Sequence, residues 1–208
     1  FVSGSDLHPN DVNAERRTFK EVVLRERLAA AIRKLNPDLA ERLVDEAVRE
    51  VAGIAPMDLL AANEAFHTKL TDGVKVESTS GGETRGTIVK LVDFENPLNN
   101  ELLVVSQFEV KEERGKRRPD LILFVNGMPL VVIELKRATS EQATVHGAWK
   151  QLQTYKEEIP SLFIYNGLLV VSDGLDARSG SLTAGLSRFL AWKTADGKQE
   201  ASTLTPAL

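Results

Sequence analysis

Between residues 15 and 35, Phe19, Val22, Val23, Leu28, Ala31, Ile32 and Leu35 recur at three- and four-residue steps, predicting an amphipathic helix stopped by Asn36-Pro37. A second helix is expected from the capping candidate Asp38 through Leu39, Leu43, Val44, Ala47, Val48 and Val51 to Gly53. Residues 57–70 give a third, ended near Asp72-Gly73. The texture then changes: β-branched residues alternate or cluster at 74–77, 85–94 and 102–110, between Gly, Asn and Pro breaks, and predict strands. Segments 121–125 and 130–135 flank an Asn126-Gly127 turn signal and form a predicted hairpin. Its second arm is apolar at every position from Leu130 to Ile133, as in a central strand covered on both faces. A helix over 142–158 follows, with Val145, Ala148, Trp149, Leu152, Tyr155 and Ile159 on one stripe, and strands are expected at 162–165 and 168–172. The pattern predicts an α/β protein: a mixed central β-sheet flanked by helices, with a helical N-terminal layer.

Composition narrows the class. At 208 residues with 42% hydrophobic and 27% charged positions, the chain can bury a full core, which excludes wholesale disorder and a fibrous repeat. The organisation expected is a single domain over 1–195, helical over about 15–71 with a sheet core over about 73–195, and a tail at 196–208. There is no cysteine, so no disulfide and no Cys-ligated metal, which fits a reducing, cytoplasmic setting. The apolar runs fall well short of the roughly 18–20 residues of a membrane helix, and no secretory leader is expected. Phe1 is not an initiator methionine, and the opening Phe-Val-Ser-Gly-Ser-Asp reads as the tail of a strand and a turn, as in a fragment. The formal net charge of −4 does not advertise a nucleic-acid binder, yet Arg114, Lys116, Arg117 and Arg118 form a local cationic cluster. That cluster runs directly into the chemistry.

Arg118-Pro119-Asp120 precedes the first arm of the hairpin, and Glu134-Leu135-Lys136 closes the second. In extended backbone Glu134 and Lys136 point to the same side. An acid ending a buried apolar strand is costly unless a cation offsets it, and a hard divalent ion takes two carboxylates and a main-chain carbonyl as ligands. Phosphodiester hydrolysis is the chemistry this set suits. Asp120 and Glu134 would hold the metal, and Lys136 would orient water and stabilise charge on the phosphate. Register tests the idea. A bare two-residue turn at Asn126-Gly127 would send the two carboxylates to opposite faces, so a three-residue connection through Met128, a bulge, or an Asp120 beyond the regular ladder is required. Gln151 and Tyr155 lie one turn apart on the following helix.

The run Arg-Arg-Pro-Asp-Leu-Ile-Leu-Phe-Val-Asn-Gly-Met-Pro-Leu-Val-Val-Ile-Glu-Leu-Lys, followed by Gln-Leu-Gln-Thr-Tyr, Pro-Ser-Leu-Phe-Ile-Tyr-Asn and Val-Ser-Asp-Gly, resembles the N-terminal nuclease domain of type I restriction enzyme R subunits. That domain belongs to the PD-(D/E)xK nuclease superfamily, and the likeness runs from about Thr18 through Trp192. The resemblance implies a restriction-endonuclease-like fold, Asp120 and Glu134 as metal-binding acids, a carbonyl ligand from Leu135, and Lys136 as the catalytic lysine. It implies Mg²⁺ as cofactor, with Mn²⁺ as substitute. Gln151 and Tyr155 match the family's Gln-x-x-x-Tyr motif, implicated in positioning DNA, and Arg117 and Arg118 would meet the phosphate backbone. Double-stranded DNA and the methylation and specificity subunits are the implied partners. The resemblance assigns ATP to a motor in the full-length subunit; Gly115-Lys116 lacks the pattern of a phosphate loop. The rival reading is a non-catalytic DNA-binding or docking platform of the same fold. Relatives often place another acid on the first core helix; Glu15 and Glu64 are candidates, and the position is left unassigned.

The remaining candidates carry less. His8, His67 and His146 show no paired ligand spacing, Ser172-Asp173-Gly174 reads as a turn, and Trp149 and Trp192 read as core packing.

Overall fold

A computed structural model of the chain describes residues 1–9, 11, 14–55, 58–80, 83–136 and 144–193. Val2–Ser3 (β1) leads into one turn of 3-10 helix at Gly4–Leu7. Arg25–Leu35 (α1), Glu41–Ala52 (α2) and Leu59–Asp72 (α3) follow, then the antiparallel pair Val74–Ser80 (β2) and Glu83–Val89 (β3). The middle of the chain forms Leu102–Ser106 (β4), Val110–Glu112 (β5), Gly115–Arg117 (β6), Leu121–Val125 (β7) and Met128–Leu135 (β8). Val145–Glu158 (α4), Pro160–Phe163 (α5), Leu168–Ser172 (β9), Ala177–Gly180 (β10) and Leu190–Ala191 (β11) complete the order.

Seven strands make one mixed sheet, ordered β1-β4-β7-β8-β9-β10-β11, with β5 and β6 paired separately. β4, β7 and β8 run antiparallel, whereas β8 and β9 are parallel and joined through α4, which packs on both. The continuous apolar run of β8 is explained by that central place: Val132 and Ile133 are buried between neighbours. Leu28 of α1, Val44 of α2 and Phe66 of α3 belong to the same hydrophobic cluster as Val105, Phe124, Val132 and Leu152. The N-terminal helices and the sheet thus share one core.

The helix expected over 15–35 begins only at Arg25. Val22, Val23 and Leu24 are all buried, and three successive residues sweep about 200° around a helix, too wide for one buried face. The segment stays irregular, and the Leu24 N–H donates to the Gly127 carbonyl at 2.9 Å. The strand expected over 162–165 is instead the single turn α5, with Pro160 pre-set for its first position and the Ile164 N–H donating back to Pro160. The strand expected to reach Phe94 stops at Val89, because the Asn36 side chain takes both main-chain groups of Lys90, each at 2.9 Å. The strand expected over 102–110 breaks after Ser106, where Gln107 turns into a left-handed backbone with φ 55°.

Helix α4 starts at Val145, since Thr144 is extended and caps it by accepting from the Gly147 N–H. Residues 142 and 143, Met57 and the expected tail at 196–208 lie outside the described residues. The strands β5, β6, β10 and β11 were not anticipated; all are two to four residues long, too short for a period to show.

Candidate active site

The β7–β8 turn is a two-residue connection with positive φ at both Asn126 (51°) and Gly127 (77°), setting Val125 opposite Met128. Left alone, that register would separate the carboxylates. It is corrected by a bulge: Phe124 pairs with Pro129, but Leu123 pairs with Val131, leaving Leu130 extra. Pro129, which has no N–H to offer the ladder, is tolerated here beside the bulge. The carbonyl of the extra residue, Leu130, accepts from the Gly167 N–H at 2.8 Å. Beyond the bulge Leu121 faces Ile133, and continuing one step sets Asp120, just before β7, across from Glu134 and on the same face. Of the arrangements the register argument allowed, the bulge is present, and Asp120 also stands outside the assigned strand.

Asp120 is held from two directions. Its Oδ2 accepts from the Leu135 N–H at 2.9 Å, and its Oδ1 accepts from Gln107 Nε2 at 2.8 Å. Glu134 is 2% exposed, with Oε1 3.4 Å from Lys136 Nζ and Oε2 buried without a hydrogen-bond partner among the described residues. Burial, followed by the neighbouring charge of Asp120, pushes the Glu134 carboxyl up to about 7 against the opposing pull of Lys136. Lys136 leaves the strand end with its N–H on the Ser172 carbonyl, and its Nζ also donates to Gln151 Oε1. Gln151 Nε2 in turn donates to the Tyr155 hydroxyl. Glu134, Lys136, Gln151 and Tyr155 therefore form one connected polar chain from strand to helix.

The cationic cluster is carried by the β5–β6 hairpin, which packs beside α4. Gln107, Glu109, Lys116, Arg117, Arg118 and Tyr155 line an open cleft of about 370 Å³ next to the carboxylate pair. The cluster is partly neutralised: Lys116 pairs with Glu109 at 2.8 Å, and Arg117 with Glu158. Arg118 is exposed. Sequence reasoning missed these acids, which come from other segments.

Other candidates separate from this centre. Glu15 pairs with Arg27 of α1, and Glu64 is exposed on α3. His67 Nε2 meets the Asn166 carbonyl, His8 packs edge-on to Phe19, and His146 stacks on Trp149. Among the described residues no group of three or more His, Cys, Asp and Glu side chains clusters as a metal site. Ser172-Asp173-Gly174 makes a turn in which Asp173 caps the N–H groups of Leu175 and Asp176. Trp149 is partly buried against the core, and Trp192 is half-buried, its main-chain N–H donating to the Ala177 carbonyl. Gln107 was not singled out in the sequence, and nothing in its spacing marks it.

A mixed sheet whose central hairpin brings Pro-Asp and Glu-x-Lys together, with a following crossover helix, defines a restriction-endonuclease-like protein of the PD-(D/E)xK class. The chain belongs to the family described as the N terminus of type I restriction enzyme R proteins, which it matches over residues 1–188. It is 45% identical over 202 residues to the HindI type I restriction enzyme endonuclease subunit of Haemophilus influenzae, covering 97% of this chain and 19% of that protein. It is 39% identical over 196 residues to a candidate MjaIXP type I restriction enzyme endonuclease subunit of Methanocaldococcus jannaschii, covering 93% of this chain and 18% of that one. The chain thus spans about a fifth of the length of these relatives.

Proposed function

We propose that this chain is the Mg²⁺-dependent endonuclease module of a type I restriction enzyme R subunit, acting in the cytoplasm on double-stranded DNA. It cuts phosphodiesters without base preference of its own. Recognition comes from the specificity and methylation subunits, and ATP-driven translocation from the remainder of the subunit. The observation that carries this reading is the buried Oε2 of Glu134, without a hydrogen-bond partner among the described residues and set across from Asp120 and beside Lys136. Such an oxygen is costly unless a cation reaches it, and two carboxylates with the Leu135 carbonyl are a hard-oxygen donor set suited to Mg²⁺ or Mn²⁺. When bound, the metal would lower the pKa of a coordinated water and neutralise charge on the phosphate.

The chain's own residues do the rest. Lys136 Nζ, anchored by Gln151, presents a positive charge beside Glu134 where the phosphate oxygens enter and charge accumulates. Tyr155 fixes Gln151 and so fixes the lysine's height above the sheet. Arg117 and Arg118 line the adjoining cleft and meet the backbone without reading bases. In the assembled restriction complex with Mg²⁺ and ATP, Lys136→Ala and Asp120→Ala should each cut plasmid DNA at least about 100-fold more slowly while translocation persists. Wild-type cleavage by either variant overturns the proposal.

The Leu175, Leu190 and Phe94 side chains are exposed, but no helix among the described residues is long and apolar enough to cross a membrane.

A further inference from the structure

We infer that Gln107 is the positioning residue for Asp120, fixing its carboxylate for the metal; the inference rests on the metal-site reading above. Only two non-glycine residues among those described have positive φ, Gln107 and Asn126. Asn126 is accounted for by the β7–β8 turn. Gln107 sits in no such turn, and a left-handed glutamine costs roughly 1 kcal/mol or more that something must offset. What it gains is a two-point hold on one residue: its N–H donates to the Asp120 carbonyl at 3.0 Å, and its Nε2 to Asp120 Oδ1 at 2.8 Å.

The geometry gives each Asp120 oxygen one fixed neutral donor, Gln107 Nε2 on one side and the Leu135 N–H on the other. A carboxylate so held cannot rotate about its last bond, and its remaining lone pairs stay aimed at the site it shares with Glu134. The neutrality of the donor matters as well. A lysine or arginine in its place would cancel the charge the cation needs, whereas an amide orients the carboxylate and leaves that charge intact. The N-terminal segment backs this arrangement. Gly4 packs so closely that a Cβ there would lie 2.3 Å from the Gln107 carbonyl oxygen, so the backbone at Gln107 is braced from behind.

The test measures Mn²⁺ binding by calorimetry alongside thermal unfolding, using the 208-residue chain. Gln107→Gly removes the amide while favouring the same backbone, and Gln107→Asn tolerates positive φ but is one carbon too short to reach Asp120. Both should unfold close to the wild-type temperature yet bind Mn²⁺ about 10- to 100-fold more weakly. A purely structural role for Gln107 would move the melting temperature and spare the affinity. Should Asp120→Ala lose Mn²⁺ while both Gln107 variants keep wild-type affinity, the Gln107 assignment alone falls. Should the wild-type chain take no Mn²⁺, or Asp120→Ala bind it undiminished, the metal-site reading falls and this inference with it.

Discussion

In the proposed function Glu134 is the residue on which the chemistry turns, and its position is uncomfortable for an anion. Its carboxyl is raised from 4.5 to about 7, first by burial and then by Asp120. The sign of the stability effect follows from proton binding: the folded state holds this proton more tightly than the unfolded state does. The destabilisation is therefore absent below about pH 4.5, grows as pH rises, and is fully present above about 7. With a chelator present, Glu134→Gln should melt at a higher temperature than wild type at pH 8, and the difference should vanish near pH 4.5. Added Mg²⁺ should raise the melting temperature of wild type at pH 8 and leave Glu134→Gln nearly unmoved. A variant less stable than wild type at pH 8 would show that the buried carboxylate is satisfied by the protein itself.

Among the elements, the β7–β8 hairpin decides whether two acids meet. Its turn needs left-handed backbone at Gly127, where an added Cβ would also come within 2.5 Å of the Leu24 carbonyl oxygen that ends the buried N-terminal segment. Gly127→Ala should cost about 1–3 kcal/mol in urea denaturation. Gly185→Ala, at an exposed site with nothing within 4 Å, should cost less than about 0.5 kcal/mol and serves as its control. Equal losses at the two positions would mean that the turn is not the constraint described. The hairpin's other device, the bulge at Leu130, is stabilised from outside, by the Gly167 N–H at the entry to β9. An element that looks local is thus finished by its neighbour in the sheet.

For the whole molecule, a net charge of −4 coexists with a cationic wall beside the site, because Lys116, Arg117 and Arg118 fall together on and just after the β5–β6 hairpin. Lys116 and Arg117 are already engaged by Glu109 and Glu158, so in the proposed function exposed Arg118 is the freer to meet a phosphate. Arg118→Ala should weaken binding to duplexes of any sequence and lower the salt-dependence slope by about 1, measured by fluorescence anisotropy across a salt series. An unchanged slope would remove Arg118 from the interface. The sequence by itself determined the α/β class, the central place of β8, the Asn126-Gly127 turn and the Pro-Asp and Glu-x-Lys segments, because period and turn chemistry are written in adjacent residues. It did not determine the helix start at Arg25, the α5 turn, the extra Leu130, the Gln107 hold on Asp120 or the pairing of Arg117 with Glu158. Each of those depends on which groups distant segments bring to a point: a buried apolar triplet, a donor from the next strand, a carboxylate on a later helix. Only the assembled tertiary structure sets these meetings, since burial and hydrogen-bond satisfaction are properties of neighbours in space.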